Sequence, residues 1–162
     1  MKSAHLAMTM TLILAGAGAT WAQTPAPALS ATLRGHVRTE QFAAVATVGE
    51  LPDAVRGTLK ELFGGRSLDL AEPGAPFQKT DVLVLPRLPS RRLILAGCSA
   101  DHCLVYYERG GFAHVHQIVL FGTADAAVRF VDGGIAAGGL TDLDQVQNAL
   151  VSGKVMGGSK YW

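Results

Sequence analysis

Residues 91–121 read RRLILAGCSADHCLVYYERGGFAHVHQIVLF, and this stretch decides the fold. Arg91 to Ala96 reads as a strand, and Cys103 to Tyr107 as a second. Between them lies the loop Cys98-Ser99-Ala100-Asp101-His102-Cys103, which holds both cysteines of the chain. Glu108-Arg109-Gly110-Gly111 reads as a tight turn whose glycines can take positive φ, and Phe112 to Phe121 as a longer returning strand. Strands joined this closely must run antiparallel, because a parallel pair needs a long crossover.

Upstream, Leu51-Pro52-Asp53-Ala54-Val55 opens a helix with Pro and Asp in its first turn, where a missing N–H and a negative charge are tolerated. Val55, Leu59, Leu62 and Phe63 recur at helical spacing, and Gly64-Gly65 ends the run. Thr39 to Val48 fits either a short helix or a leading strand. Ser67 to Leu70 reads as a short strand, Ala71 to Phe77 as turns, and Asp81 to Leu85 as a strand ended by Pro86. Downstream, Ala126 to Val131 reads as a strand and Gly133 to Gly139 as a flexible run. Thr141 caps a final helix, with Asp144 in place of the usual Glu and with Val146, Leu150 and Val151 on its inner face. Helix, antiparallel meander, helix predicts an α+β fold with the helices packed on one face of the sheet.

Residues 1–22 read as a secretory signal: Lys2, the apolar stretch Leu6 to Ala15, then Thr20-Trp21-Ala22 before Gln23. The apolar stretch is shorter than the about 20 residues that span a bilayer, although a retained anchor is the alternative. Residues 23–38 read as a loose leader, Pro/Ala-rich at its start, and residues 39–162 as a single domain. Export places the chain in the periplasm or outside the cell, where a disulfide persists. Loss of the signal lowers Lys+Arg from 14 to 13 against 13 Asp+Glu, and the formal charge from +1 to zero. Without a basic excess, nucleic acid is not an expected partner, and neither is a membrane after cleavage.

If Cys98 and Cys103 are oxidised, Ser99, Ala100, Asp101 and His102 form a small closed loop that offers a polar tip. Its closure removes little chain entropy, so its output is shape more than stability. The spacing is not Cys-x-x-Cys, and no nucleophile signature such as Gly-x-Ser-x-Gly occurs. His114 and His116, two apart on a strand, would share a face and could ligate a metal. Two ligands do not make a site, however, and His36 is remote in sequence. No carboxylate stands at a convincing spacing. The solvent face of a strand explains the pair better, so no metal, no cofactor and no enzymatic activity are expected. Lys79, Arg87, Arg91 and Arg92 form a local basic cluster, read as a solvated edge or as steering charges for the loop.

A signal peptide, a small α+β domain and a Cys-x-x-x-x-Cys loop carrying His and Asp resemble the Ivy-type periplasmic lysozyme inhibitors, whose loop reads Cys-Lys-Pro-His-Asp-Cys. Leu51-Pro52 is similar to a helix-opening Leu-Pro segment of that family, and the resemblance spans Leu51 to Phe121. It implies that the loop enters a lysozyme cleft and that its imidazole meets the two catalytic carboxyls. Cys98 and Cys103 match by position, Ser99 and Ala100 replace Lys and Pro, and Asp101-His102 reverses His-Asp. The reversal puts Asp101 where the family has its histidine.

The expectation is therefore a non-enzymatic periplasmic or secreted protein that binds lysozyme or a related muramidase through residues 99–102; a homodimer is left open. The alternative is an envelope structural or interaction domain in which the disulfide only shapes a turn.

Overall fold

The computed structural model describes residues 29–81, 88–125 and 127–157. The expected signal segment, the strand over residues 82–85 and Arg87 lie outside them. One antiparallel sheet takes strands in chain order: β1 Ala43–Val45, β2 Arg91–Cys98, β3 His102–Arg109, β4 Val115–Gly122, β5 Arg129–Ala136 and β6 Met156–Gly157. Helices α1 Ala31–Thr39, α2 Asp53–Leu62 and α3 Leu143–Val151 pack against it. The fold is α+β, as the hairpin spacings predict.

The helices occupy both faces instead of one. Val55 and Leu59 of α2 pack with Cys103, Val105, Tyr107, Val119 and Phe121. Val37 of α1 and Val146, Ala149, Leu150 and Val151 of α3 pack with Leu104, Tyr106, Ile118 and Leu120 on the other side. The reason is visible in β3, which is buried at every position from His102 to Glu108. A strand with one wet face alternates; Leu104-Val105-Tyr106-Tyr107 does not, and so needs a cover on each side.

Helix α1 is the main departure from sequence expectation, since it occupies the second half of the segment read as loose leader. Ser30 caps it by accepting from the Leu33 N–H at 3.2 Å. Its apolar signal is thin, with Leu33 and Val37 one turn apart, and its stability comes from packing on α3. The undecided stretch that follows is strand at Ala43–Val45 and a 3-10 turn at Val48–Glu50.

Smaller differences have similar causes. Residues 67–70 form no strand; an isolated bridge joins Ala71 to Arg92 instead. Gly133 and Gly134, read as flexible, lie within β5. A Cβ at Gly134 would stand 2.0 Å from the Met156 carbonyl oxygen, so glycine there admits β6. The cap of α3 is Asp142, not Thr141, and the reciprocal side chain is Gln145, which bonds back to Thr141 and Asp142. At the end of α2, Gly64 takes φ 67°, the left-handed stop expected of it.

Candidate functional site

Antiparallel register sets Cys98 directly opposite Cys103, and the two are joined in a disulfide. The Ser99 N–H donates to the His102 carbonyl at 2.8 Å, so the loop is a hairpin tip with Ala100 and Asp101 at its apex. The Ser99 hydroxyl accepts from the N–H groups of Asp101 and His102 at 3.1 and 3.0 Å, and donates to Glu40. From the end of β4, Thr123 donates its N–H to the Asp101 carbonyl at 2.7 Å. Every arm of the loop is thus tied to a neighbour.

His102 does not point outward. As the first residue of β3 it shares a face with Leu104 and Tyr106, the face that α1 covers. Its side chain is 10% exposed, and its Nδ1 lies 2.8 Å from Glu40 Oε2. Glu40 follows the last turn of α1 and is itself 7% exposed. The Gln147 side-chain amide of α3 donates to the backbone carbonyls of Val37 and Glu40, which fixes that helix end.

What the loop end does show to solvent is a different pair. His36, one turn before Glu40, is 51% exposed, and its Nε2 lies 3.0 Å from Asp101 Oδ2, whose side chain is 44% exposed. The same Nε2 stands 3.9 Å from Glu40 Oε2. Two imidazoles and two carboxylates therefore meet where α1 ends against the loop. Sequence separation hid this arrangement. The signal that could have revealed it was Ser30 as a cap, followed by His36 and Glu40 at i,i+4 on the same helical face.

A second cluster lies at the other end of the sheet. Glu108 and His116 are cross-strand partners on β3 and β4, and His114 Nε2 reaches Glu108 Oε2 at 2.6 Å. The carboxylate missing from the sequence reading is Glu108, brought in by hairpin register. His116 is not on an open solvent face: it is half-buried and stacks on Tyr106 with ring centroids 5.9 Å apart. Burial acts to raise the Glu108 carboxyl, but hydrogen bonds from Arg92 and His114 outweigh it and hold the group below its ordinary value. Burial, and then the neighbouring His114, hold the His116 imidazole below its usual 6.5.

The basic cluster is likewise not an open edge. Arg91 is buried and pairs with Asp69 at 2.6 Å, and Arg92 pairs with Glu108. Both stand at the start of β2, six and seven residues and about 20–23 Å of strand from Cys98, so they do not flank the loop. Lys79 is exposed, with its ammonium 5.8 Å from the Phe77 ring.

Among the described residues no helix is long and apolar enough to cross a membrane. Comparison with protein-family models, curated proteins and solved structures finds no match to the chain.

Proposed function

We propose that the chain is a non-enzymatic binding protein of the periplasm or cell exterior that inhibits a lysozyme-type muramidase through the disulfide-closed end of its sheet. The observation that carries this reading is the bracing of the Ser99–His102 tip by the disulfide, Ser99, Glu40 and Thr123. A tip already held in one shape loses little freedom on docking, which is what a small inhibitory contact needs. The resemblance of the Cys-x-x-x-x-Cys loop to the Ivy-type family supplies the target class.

His36 takes the part that sequence order alone would give His102. A glycosidase cleft holds one protonated and one ionised carboxyl; with its Nε2–H donated to Asp101, a neutral His36 keeps Nδ1 to accept from the protonated one. Asp101 by itself would meet those groups as a like charge; its bond to His36 offsets that.

The test is lysis of a peptidoglycan substrate by lysozymes of several types. Oxidised protein is expected to suppress lysis by at least one of them at near-equimolar ratio. His36→Ala is expected to weaken that inhibition about tenfold, while Phe112→Ser, a fully exposed side chain at the opposite hairpin tip, leaves it unchanged. Failure to inhibit any lysozyme overturns the reading and favours the envelope interaction domain.

A further inference from the structure

We propose that His36, Glu40 and His102 form a binding site for a divalent metal ion of the zinc class, with Asp101 as a further oxygen donor on its open side. The inference goes beyond the inhibitor reading and does not rest on it.

Geometry comes first. The ligand atoms of His36, Glu40 and His102 all lie within 4.8 Å of one another. A tetrahedral ion bonded at about 2.0–2.1 Å sets its ligand atoms about 3.3 Å apart. The separations of Glu40 Oε2 from His102 Nδ1, 2.8 Å, and from His36 Nε2, 3.9 Å, stand on either side of that value. Small rotations of the half-exposed His36 ring close the difference.

Charge agrees. With both imidazoles in the neutral form that ligates metals, the four side chains carry two negative charges. Among the described residues, the ion-pair partners of Glu40 are the two imidazoles alone. A carboxylate this deeply buried calls for a cation. Arg38, two residues from His36, lies instead along a cavity beside Gln145 and Asn148 of α3. The site also sits at the C-terminal end of α1, where the helix dipole favours positive charge.

The supporting shell is in place as well. Ser99 donates to Glu40 Oε1, which leaves Oε2 turned toward both histidines. The disulfide and the Thr123 bond hold His102 at a fixed height against the helix. On binding, each imidazole carries its N–H on the ring nitrogen away from the metal. Nitrogen and carboxylate donors in this mixture suit zinc and its neighbours over calcium or magnesium. The second cluster, Glu108, His114 and His116, has a comparable donor set. There the Arg92 guanidinium already pairs with Glu108 through Oε1 and neutralises the carboxylate that would otherwise draw an ion.

The experiment is equilibrium dialysis and calorimetric titration of untagged, oxidised, chelator-stripped protein with zinc alone. One equivalent is expected to bind with a micromolar or tighter dissociation constant and to raise Tm. His36→Ala, which removes a half-exposed side chain, is expected to weaken binding at least tenfold and abolish the Tm shift. Glu40→Gln, which keeps a bond to Ser99, is expected to do the same. His114→Ala is expected to bind as the unaltered protein does. Absence of one-to-one binding at 100-fold molar excess of zinc overturns the proposal, as does unchanged affinity in either His36→Ala or Glu40→Gln. Loss of binding in His114→Ala overturns it too, by placing the ion at the second cluster. Because the readout is zinc on the protein alone, its result is independent of whether any lysozyme is inhibited.

Discussion

His102 Nδ1 stands 2.8 Å from Glu40 Oε2, and this bond turns the imidazole of the cysteine loop into the protein. The pair joins two segments 62 residues apart, and both side chains are nearly closed to solvent. A loop that sequence alone would read as a free polar tip is thereby anchored to a helix.

Glu40→Ala leaves the buried His102 imidazole without its carboxylate and takes one acceptor from Ser99, whose hydroxyl keeps the His102 carbonyl at 3.1 Å. In metal-free buffer with chelator, urea titration is expected to show a loss of about 2–3 kcal/mol. A change below about 0.5 kcal/mol would mean that the loop does not depend on Glu40.

Cys98→Ser/Cys103→Ser opens a loop of sequence separation 5. Loop-closure entropy over so short a span is worth on the order of 2 kcal/mol. Tm is expected to drop by roughly 5–10 °C with an unchanged far-ultraviolet spectrum, since the sheet register and the Ser99 and Thr123 bonds remain. Complete unfolding at 25 °C would show that the disulfide carries the fold.

Two glycines give opposite expectations. A Cβ at Gly110 would lie 1.8 Å from the Gln78 carbonyl oxygen, so Gly110→Ala is expected to cost about 2 kcal/mol or more as the backbone shifts. At Gly57, inside α2, nothing lies within 4 Å. Gly57→Ala is expected to add about 0.5–1 kcal/mol. Denaturant titration of both variants checks the pair, and the reverse order of stability would contradict the packing described.

The His116 imidazole, held below its ordinary 6.5, makes stability depend on pH. As pH falls through about 6.5, the unfolded chain binds a proton that the folded chain resists, so the contribution of His116 is present above that pH and is lost below it. Glu108, with its carboxyl depressed below 4.5, adds a further loss as pH falls through its folded value. Tm is expected to decline from pH 7 to pH 5.5, with a shallower slope in His116→Gln. Equal slopes in the two proteins would remove His116 from this account.

Much of the sheet was legible because its signals are local. The strands at Arg91, Cys103 and Phe112 and the helix from Leu51 were read from short apolar runs, a Leu-Pro opening and paired glycines. They appear at Arg91–Cys98, His102–Arg109, Val115–Gly122 and Asp53–Leu62, with Glu108 and Arg109, read as turn, inside β3 and residues 112–114, read as strand, ahead of β4. What escaped was long-range. Helix α1 carries too few apolar residues to announce itself, and it alone brings His36 and Glu40 to the loop. Glu108 escaped for a related reason: only hairpin register sets it against His116. The continuous burial of Leu104 to Tyr107 was present in the sequence as an unbroken apolar run, and it carried the news of a second helical layer.

His102 is sealed against Glu40, while His36 and Asp101 face solvent. Hydrogen–deuterium exchange at the histidine Cε1 positions, followed by mass spectrometry of oxidised protein, measures this directly. Exchange at His36 is expected to be the faster of the two, with exchange at His102 slower by at least severalfold. Equal rates at the two rings, or faster exchange at His102, would contradict the account.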